Sequence, residues 1–205
     1  MRIARKMESV DTAPVPAATD RKIIMFIVKL LATVVMADFV SGFVHWLEDA
    51  YARPEMPLVG NIARENLQHH ARPRDFIKKS WWASSYDLLV LGLLAIAIAW
   101  HDHHLTPWVL LFTALVINAN QIHKWAHSNR QETPRLIRFL QKHRILQSAR
   151  EHAKHHSGER NTYYCVITSF LNPVLEKINF WKGMESVIEK VTGVSRRSDA
   201  EYLHS

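Results

Sequence analysis

The stretch "WWASSYDLLVLGLLAIAIAW", Trp81–Trp100, decides the fold. From Leu88 to Trp100 it carries no charged or amide side chain, so a helix there is apolar on every side and has no face to offer water. About 20 such residues make a helix roughly 30 Å long, the thickness of a bilayer's hydrocarbon core. Tryptophans at both ends suit the two membrane–water interfaces. The competing reading is a core helix of a soluble bundle, but that normally keeps one polar stripe.

Two further segments extend the pattern. "IIMFIVKLLATVVMADFVSGFVHWL", Ile23–Leu47, precedes it, and "LTPWVLLFTALVINANQIH", Leu105–His123, follows after the short loop "HDHH". The short loop makes the second and third segments an antiparallel hairpin. The expected fold is an all-α polytopic membrane bundle of about three spans, with a histidine-rich helical cap on its cytosolic face. Residues 1–22 form a polar leader, 23–193 the membrane domain and 194–205 a flexible tail.

The chain has 205 residues and a net charge of +7. That balance suits either a nucleic acid or an anionic membrane face. The basic residues flank apolar runs and no nucleic-acid-binding signature is present, so the membrane is preferred. A single cysteine, Cys165, excludes an internal disulfide and a CxxC metal site. The amphipathic stretch "PRLIRFLQKHRIL" sets Leu136, Phe139 and Leu140 against Arg135, Arg138 and Lys142, as an interfacial helix on an anionic leaflet does.

Thirteen histidines are many for this length. His45 ends the first apolar segment, His69 and His70 precede the second, His123 and His127 end the third, and His152, His155 and His156 follow. The hairpin returns the third segment to the side where the second begins, so these eight rings are expected at one membrane face. Protonated imidazoles this crowded would repel one another, and a metal is one reason for neutral ones to gather. His101, His103 and His104 sit in the hairpin loop, a bilayer thickness away, and are rejected as partners. His143 and His204 are isolated. Asp38, Gly42, His45 and Asp49 fall on one helical stripe, as do Asn120, His123 and His127. Asp49 is a possible ligand or a group that orients one, and Asn120 a holder of metal-bound water. For Asp38 the plain alternative is a helix–helix hydrogen bond.

Eight nitrogen donors exceed one structural zinc and suit two metals, although imidazole alone does not choose among iron, copper and zinc. A zinc-protease reading fails because Ala153 stands where His-Glu-x-x-His needs glutamate. Glu201 and His204 give the only Glu-x-x-His spacing, in the tail.

The blocks "DFVSGFVHWLED", "HHARP", "NQIHKWAH", "HAKHH" and "YCVITSFLNPVLEKINFWKGME", in this order from Asp38 to Glu185, resemble the plasmanylethanolamine desaturase branch of the histidine-rich membrane lipid desaturases. That branch includes a bacterial carotenoid light-response regulator and a plant plastid fatty-acid desaturase. The resemblance implies a di-iron centre held by the eight histidines, O2 as oxidant, and a vinyl-ether double bond made in an ether phospholipid. It also implies an external electron donor, since the chain has no flavin or haem motif; a ferredoxin or a small b-type cytochrome would suit a basic face. No nucleic acid is expected as a partner. Eukaryotic relatives in this branch carry a further apolar segment upstream, and some have a glutamate where this chain has Gln68. Basic residues before the second segment and after the third place the site on the cytoplasmic side, with a bacterial inner membrane the expected location. An odd number of spans would then put the basic leader outside, unless the first segment, with Lys29 inside it, does not fully cross. The alternatives are an acyl-lipid desaturase or hydroxylase on the same scaffold, and a non-enzymatic membrane metal-binding or sensor protein.

Overall fold

The computed structural model describes residues 18–199 and 202. Most of the expected leader, and the Glu201–His204 pair, lie outside the described residues. Those described form helices and connecting loops, with no strand among them.

Helix α1 (Ala18–Tyr51) is the axis of the bundle. Its N-terminal half, Ile23 to Met36, exposes apolar side chains all round, with Ile24, Phe26 and Leu31 each at least half exposed. Its C-terminal half changes character: Ala37, Asp38, Ser41, Gly42, His45, Trp46, Asp49 and Ala50 are buried. A 34-residue helix is about 50 Å long, so one half can lie in lipid while the other enters protein.

α2 (Gly60–Ala71) and the one-turn α3 (Pro73–Phe76) follow, and α2 lies against α1. Pro73 separates them, because its ring disfavours helix at Arg72 and it has no N–H to give. α4 (Trp81–His101) starts at an N-cap, where the Ser80 hydroxyl accepts from the Ala83 N–H. α5 (Pro107–Ile117) starts in the same way at Thr106, with Pro107 in the first turn. α5 packs between α1 and α4, and Gly92 lets α4 approach Ile117 and Thr113 closely.

α1 and α4 are long and apolar enough to cross a membrane, and their apolar side chains face outward instead of filling a core. The expected third span differs: it is two helices, the 11-residue α5 and then α6 (Ala119–His127). The break falls at Asn118, whose side chain donates to the Ala114 carbonyl and accepts from the Trp81 indole. A side-chain amide that bonds its own backbone competes with the helix.

α7 (Arg135–Lys142) lies on the surface with Leu136 and Phe139 exposed. α8 (Ala149–His155) begins with a capping box between Ser148 and Glu151. α9 (Leu171–Lys177) and α10 (Phe180–Thr192) close the chain's helical part. Between α8 and α9, residues 164–168 run through the middle of the protein. Tyr164 and Cys165 pack with Trp46, Leu175 and Trp181, and Val166 and Ile167 with Ala37, Ala119 and Ile122. This segment belongs to no helix or strand, so groups elsewhere in the chain, mostly side chains, satisfy its backbone. Asp38 accepts from the Ile167 N–H at 2.8 Å and from the Thr168 hydroxyl. Asp38 thus clamps α1 to a non-helical segment, where a helix–helix bond was its plainer expectation.

The stretch after Gly193, expected as a flexible tail, returns to the core through residue 199. Arg197 is fully buried, its N–H donating to the Ala50 carbonyl and its guanidinium to that of Ala52. Those carbonyls lie at and just past the end of α1, where a terminating helix leaves acceptors without partners.

Candidate metal centre

The eight histidines come from α1, α2, α6 and α8 with its C-cap, and meet at one end of the bundle. They form two groups. His45, His70 and His155 gather around Asp49; His69, His123, His127, His152 and His156 form the second, and within each group the donor atoms lie within 4.8 Å of one another. The structure places Asp49 at the centre of the first group.

Helix geometry explains the sorting. Adjacent residues point about 100° apart, so His69 and His70 serve different groups. His152 and His156, at i and i+4, serve the same one, and His155 turns to the other. His45 and Asp49 are also i, i+4 on α1. The two groups share a border, with the His70 and His155 rings 5.3 and 5.2 Å from that of His156.

One Asp49 carboxylate oxygen, Oδ2, stands 3.3 Å from Nε2 of each of His45, His70 and His155. The His70 and His155 Nε2 atoms are 3.2 Å apart. Corners of a tetrahedron with such edges lie about 2.0 Å from its centre, and of an octahedron about 2.3 Å, which brackets metal–imidazole and metal–carboxylate bond lengths. The second group repeats the spacing: the Nε2 of His123 is 2.7 Å from that of His152 and 3.2 Å from that of His127, which is 3.1 Å from His69. Facing Nε2 atoms can share at most one proton per pair, so the lone pairs left over need a cation. The donor set and its spacing fit a pair of metal ions.

The far nitrogens fix the tautomers. Nδ1 of His45 donates to the Tyr164 carbonyl at 3.0 Å, Nδ1 of His155 to that of Thr162 at 2.8 Å, and Nδ1 of His70 to Asp199 at 2.6 Å. Each bond leaves Nε2 as the lone-pair donor. Burial opposes charge on His70, but the Asp49 carboxylate and the bond to Asp199 outweigh it and raise its pKa to about 9. Those carboxylates favour a proton at this point and favour a metal cation for the same reason. The second group goes the other way. Burial and neighbouring imidazoles hold His69, His152 and His156 well below the ordinary histidine range, and burial followed by the nearby histidines lowers His127 to about 3. Neutral imidazole is the form that ligates.

Asn120 lines the cavity beside His123, with its amide N–H donating to the Ser84 carbonyl, and belongs to neither donor group. His101, at the end of α4, and His103 and His104, in the loop after it, are exposed and belong to neither group. His143 caps α7 against Phe139. Asp199 and the strap that carries it, residues 194–199, had no signal in the sequence, since Asp199 stands in a polar tail 129 residues from its partner.

A cavity of about 630 Å³ opens beside the histidines, and His45, His69 and His123 form part of its wall. Apolar Val40, Val44, Val116 and Val166 line it together with charged side chains of both signs, Arg64, Arg72 and Lys79 among the cations and Glu48, Glu65, Asp75 and Asp87 among the carboxylates. A lining of this mixed character suits an amphipathic molecule.

Comparison with known proteins gives a family match over residues 34–199, to the lipid desaturase domain. Plasmanylethanolamine desaturase 1 of Mus musculus is 31% identical over 188 residues, covering 85% of this chain and 69% of the mouse protein. Fatty acid desaturase 4-like 2, chloroplastic, of Arabidopsis thaliana is 32% identical, covering 82% of this chain and 61% of the plant protein. Plasmanylethanolamine desaturase of Myxococcus xanthus is 31% identical, covering 80% and 60%. The chain thus spans between 60% and 69% of the length of these three relatives. No solved structure matches it.

Proposed function

The chain belongs to the lipid desaturase family, an oxidoreductase family, and from that premise we propose that it is an O2-dependent plasmanylethanolamine desaturase with a di-iron centre. The observation that carries the reading is the convergence of eight imidazoles and Asp49 into two adjacent donor groups at the wall of an amphipathic cavity. Removing hydrogen from unactivated carbon lies beyond side-chain acid–base chemistry; bound iron would supply reductive activation of O2 for it. In the overall balance the –O–CH2–CH2– unit loses two hydrogens to become –O–CH=CH–. O2 takes these, with two electrons and two protons from outside, and leaves as two waters.

His45, Asp49, His70 and His155 would hold one iron, and His69, His123, His127, His152 and His156 the other. Tyr164, Thr162 and Asp199 keep three of the rings aimed. Val40, Val44 and Val116 would seat the alkyl chain and exclude water, while Arg64, Arg72 and Lys79 face the phosphate end. The basic surface of α7 and α8, with Arg135, Arg138, Lys142 and Lys154, would receive an acidic electron carrier such as a ferredoxin or a small b-type cytochrome. The same charge bias favours a bacterial inner membrane with the site toward the cytoplasm.

Lipid analysis of a host with and without the gene tests the proposal. Acid-labile vinyl ethers should appear only with the gene; a new acyl double bond with no vinyl ether would transfer the reading to the fatty-acyl substrate of the plant relative's name.

A further inference from the structure

The two donor groups are not equivalent. The first contains a carboxylate, Asp49, and all three of its histidines are anchored through Nδ1. The second is all imidazole, and the Nδ1 atoms of His69 and His152 are buried with no protein partner.

The anchor of His70 has its own support. Asp199 Oδ2 also accepts from Arg160 at 3.2 Å, and Asp199 Oδ1 from Arg197 at 3.2 Å. Arg197 is in turn bonded to the carbonyls of Ala50 and Ala52, directly after Asp49 on α1. The strap therefore ties the chain's C-terminal part to the two sides of one donor group, the Asp49 end of α1 and the back of His70. A carboxylate on the far nitrogen of a ligating histidine fixes the ring and raises its basicity, and its loss typically weakens metal binding roughly 10- to 100-fold.

We propose that the strap, through Asp199, clasps the Asp49 group, so that this group fills first and holds its ion more tightly than the five-histidine group. Asp199 is a positioning residue, acting through His70. The inference rests on the metal-centre reading above.

The test is titration of the metal-stripped full chain in detergent with cobalt(II), followed by its visible absorption, with retained metal counted after a chelator challenge. The unmutated chain should load in two steps. Asp199→Asn, which keeps the shape and an acceptor for Arg197, should weaken the first step roughly 10- to 100-fold and leave the second. Asp199→Glu, which keeps the charge, should retain most of the affinity. His156→Ala should weaken the second step instead. An unchanged first step in Asp199→Asn, or loss confined to the second, overturns the clasp. An unmutated chain that binds no cobalt at either group would refute the metal centre itself.

Discussion

Asp38 and Asp49 lie on the same stripe of α1, and replacing each with alanine should separate stability from metal binding. Asp38, Ile167 and Thr168 are all buried, at 1% exposure or less. Asp38→Ala strands two donors, the Ile167 N–H and the Thr168 hydroxyl, where water does not reach. A buried donor left without a partner costs about 1–3 kcal/mol, so the pair costs about 2–6 kcal/mol. At about 2–4 °C per kcal/mol for a chain this long, melting should fall on the order of 10 °C. Asp38→Asn keeps an acceptor for Ile167 and lets Thr168 reorient, so it should lose less than half as much. Asp38 belongs to neither donor group, so metal per folded chain should not change. Asp49→Ala removes the one carboxylate that three imidazoles face, so its folded protein should lose metal. The assay is thermal melting in detergent with elemental analysis of the folded fraction. An Asp38→Ala melt within 2 °C of the unmutated chain, about the shift of a 1 kcal/mol change, would refute the clamp argument. So would a loss of metal at unchanged stability.

Three other outcomes follow from the same contacts. Gly42→Ala would put a Cβ 2.5 Å from the Cys165 sulfur and 2.9 Å from its backbone N and Cα. α1 must then part from residues 164–168 at about 1–3 kcal/mol, taking His45 off the Tyr164 carbonyl, which thermal melting and metal content would both register. His155→Ala should abolish product while His103→Ala, in the exposed loop, retains it, as judged by vinyl-ether yield. For the metal-stripped chain, melting should be highest near neutral pH. His127 is lowered from 6.5 to about 3, so between those values the unfolded chain binds more protons and stability falls as pH drops below 6.5. His70 is raised to about 9, so its contribution is complete below 6.5 and is lost as pH rises through 9.

The histidine blocks were legible because His123 and His127 on α6, and His152 and His156 on α8 and its C-cap, keep the i, i+4 spacing of a shared helical face, and because the hairpin dictated which blocks meet. The sorting of His69 from His70 follows from the same 100° step. The apolar helices α1 and α4 were legible as well, from composition alone. The division of the third segment was not, since it depends on Asn118 bonding Ala114 and Trp81, a choice made by packing. Asp199 and Arg197 were invisible because their partners are distant in sequence and their neighbours polar, so nothing local marks the strap as buried. Asp38 was read as one of a functional stripe, with a helix–helix hydrogen bond as the alternative; its helical phase was right, but phase does not say whether a buried acid meets a metal or a backbone N–H and a hydroxyl.

Whether Asp49 and the eight histidines hold a pair of irons is measured most directly by elemental analysis of the purified, folded full chain. Two irons per chain are expected; one iron or none, or zinc in their place, would overturn the di-iron assignment.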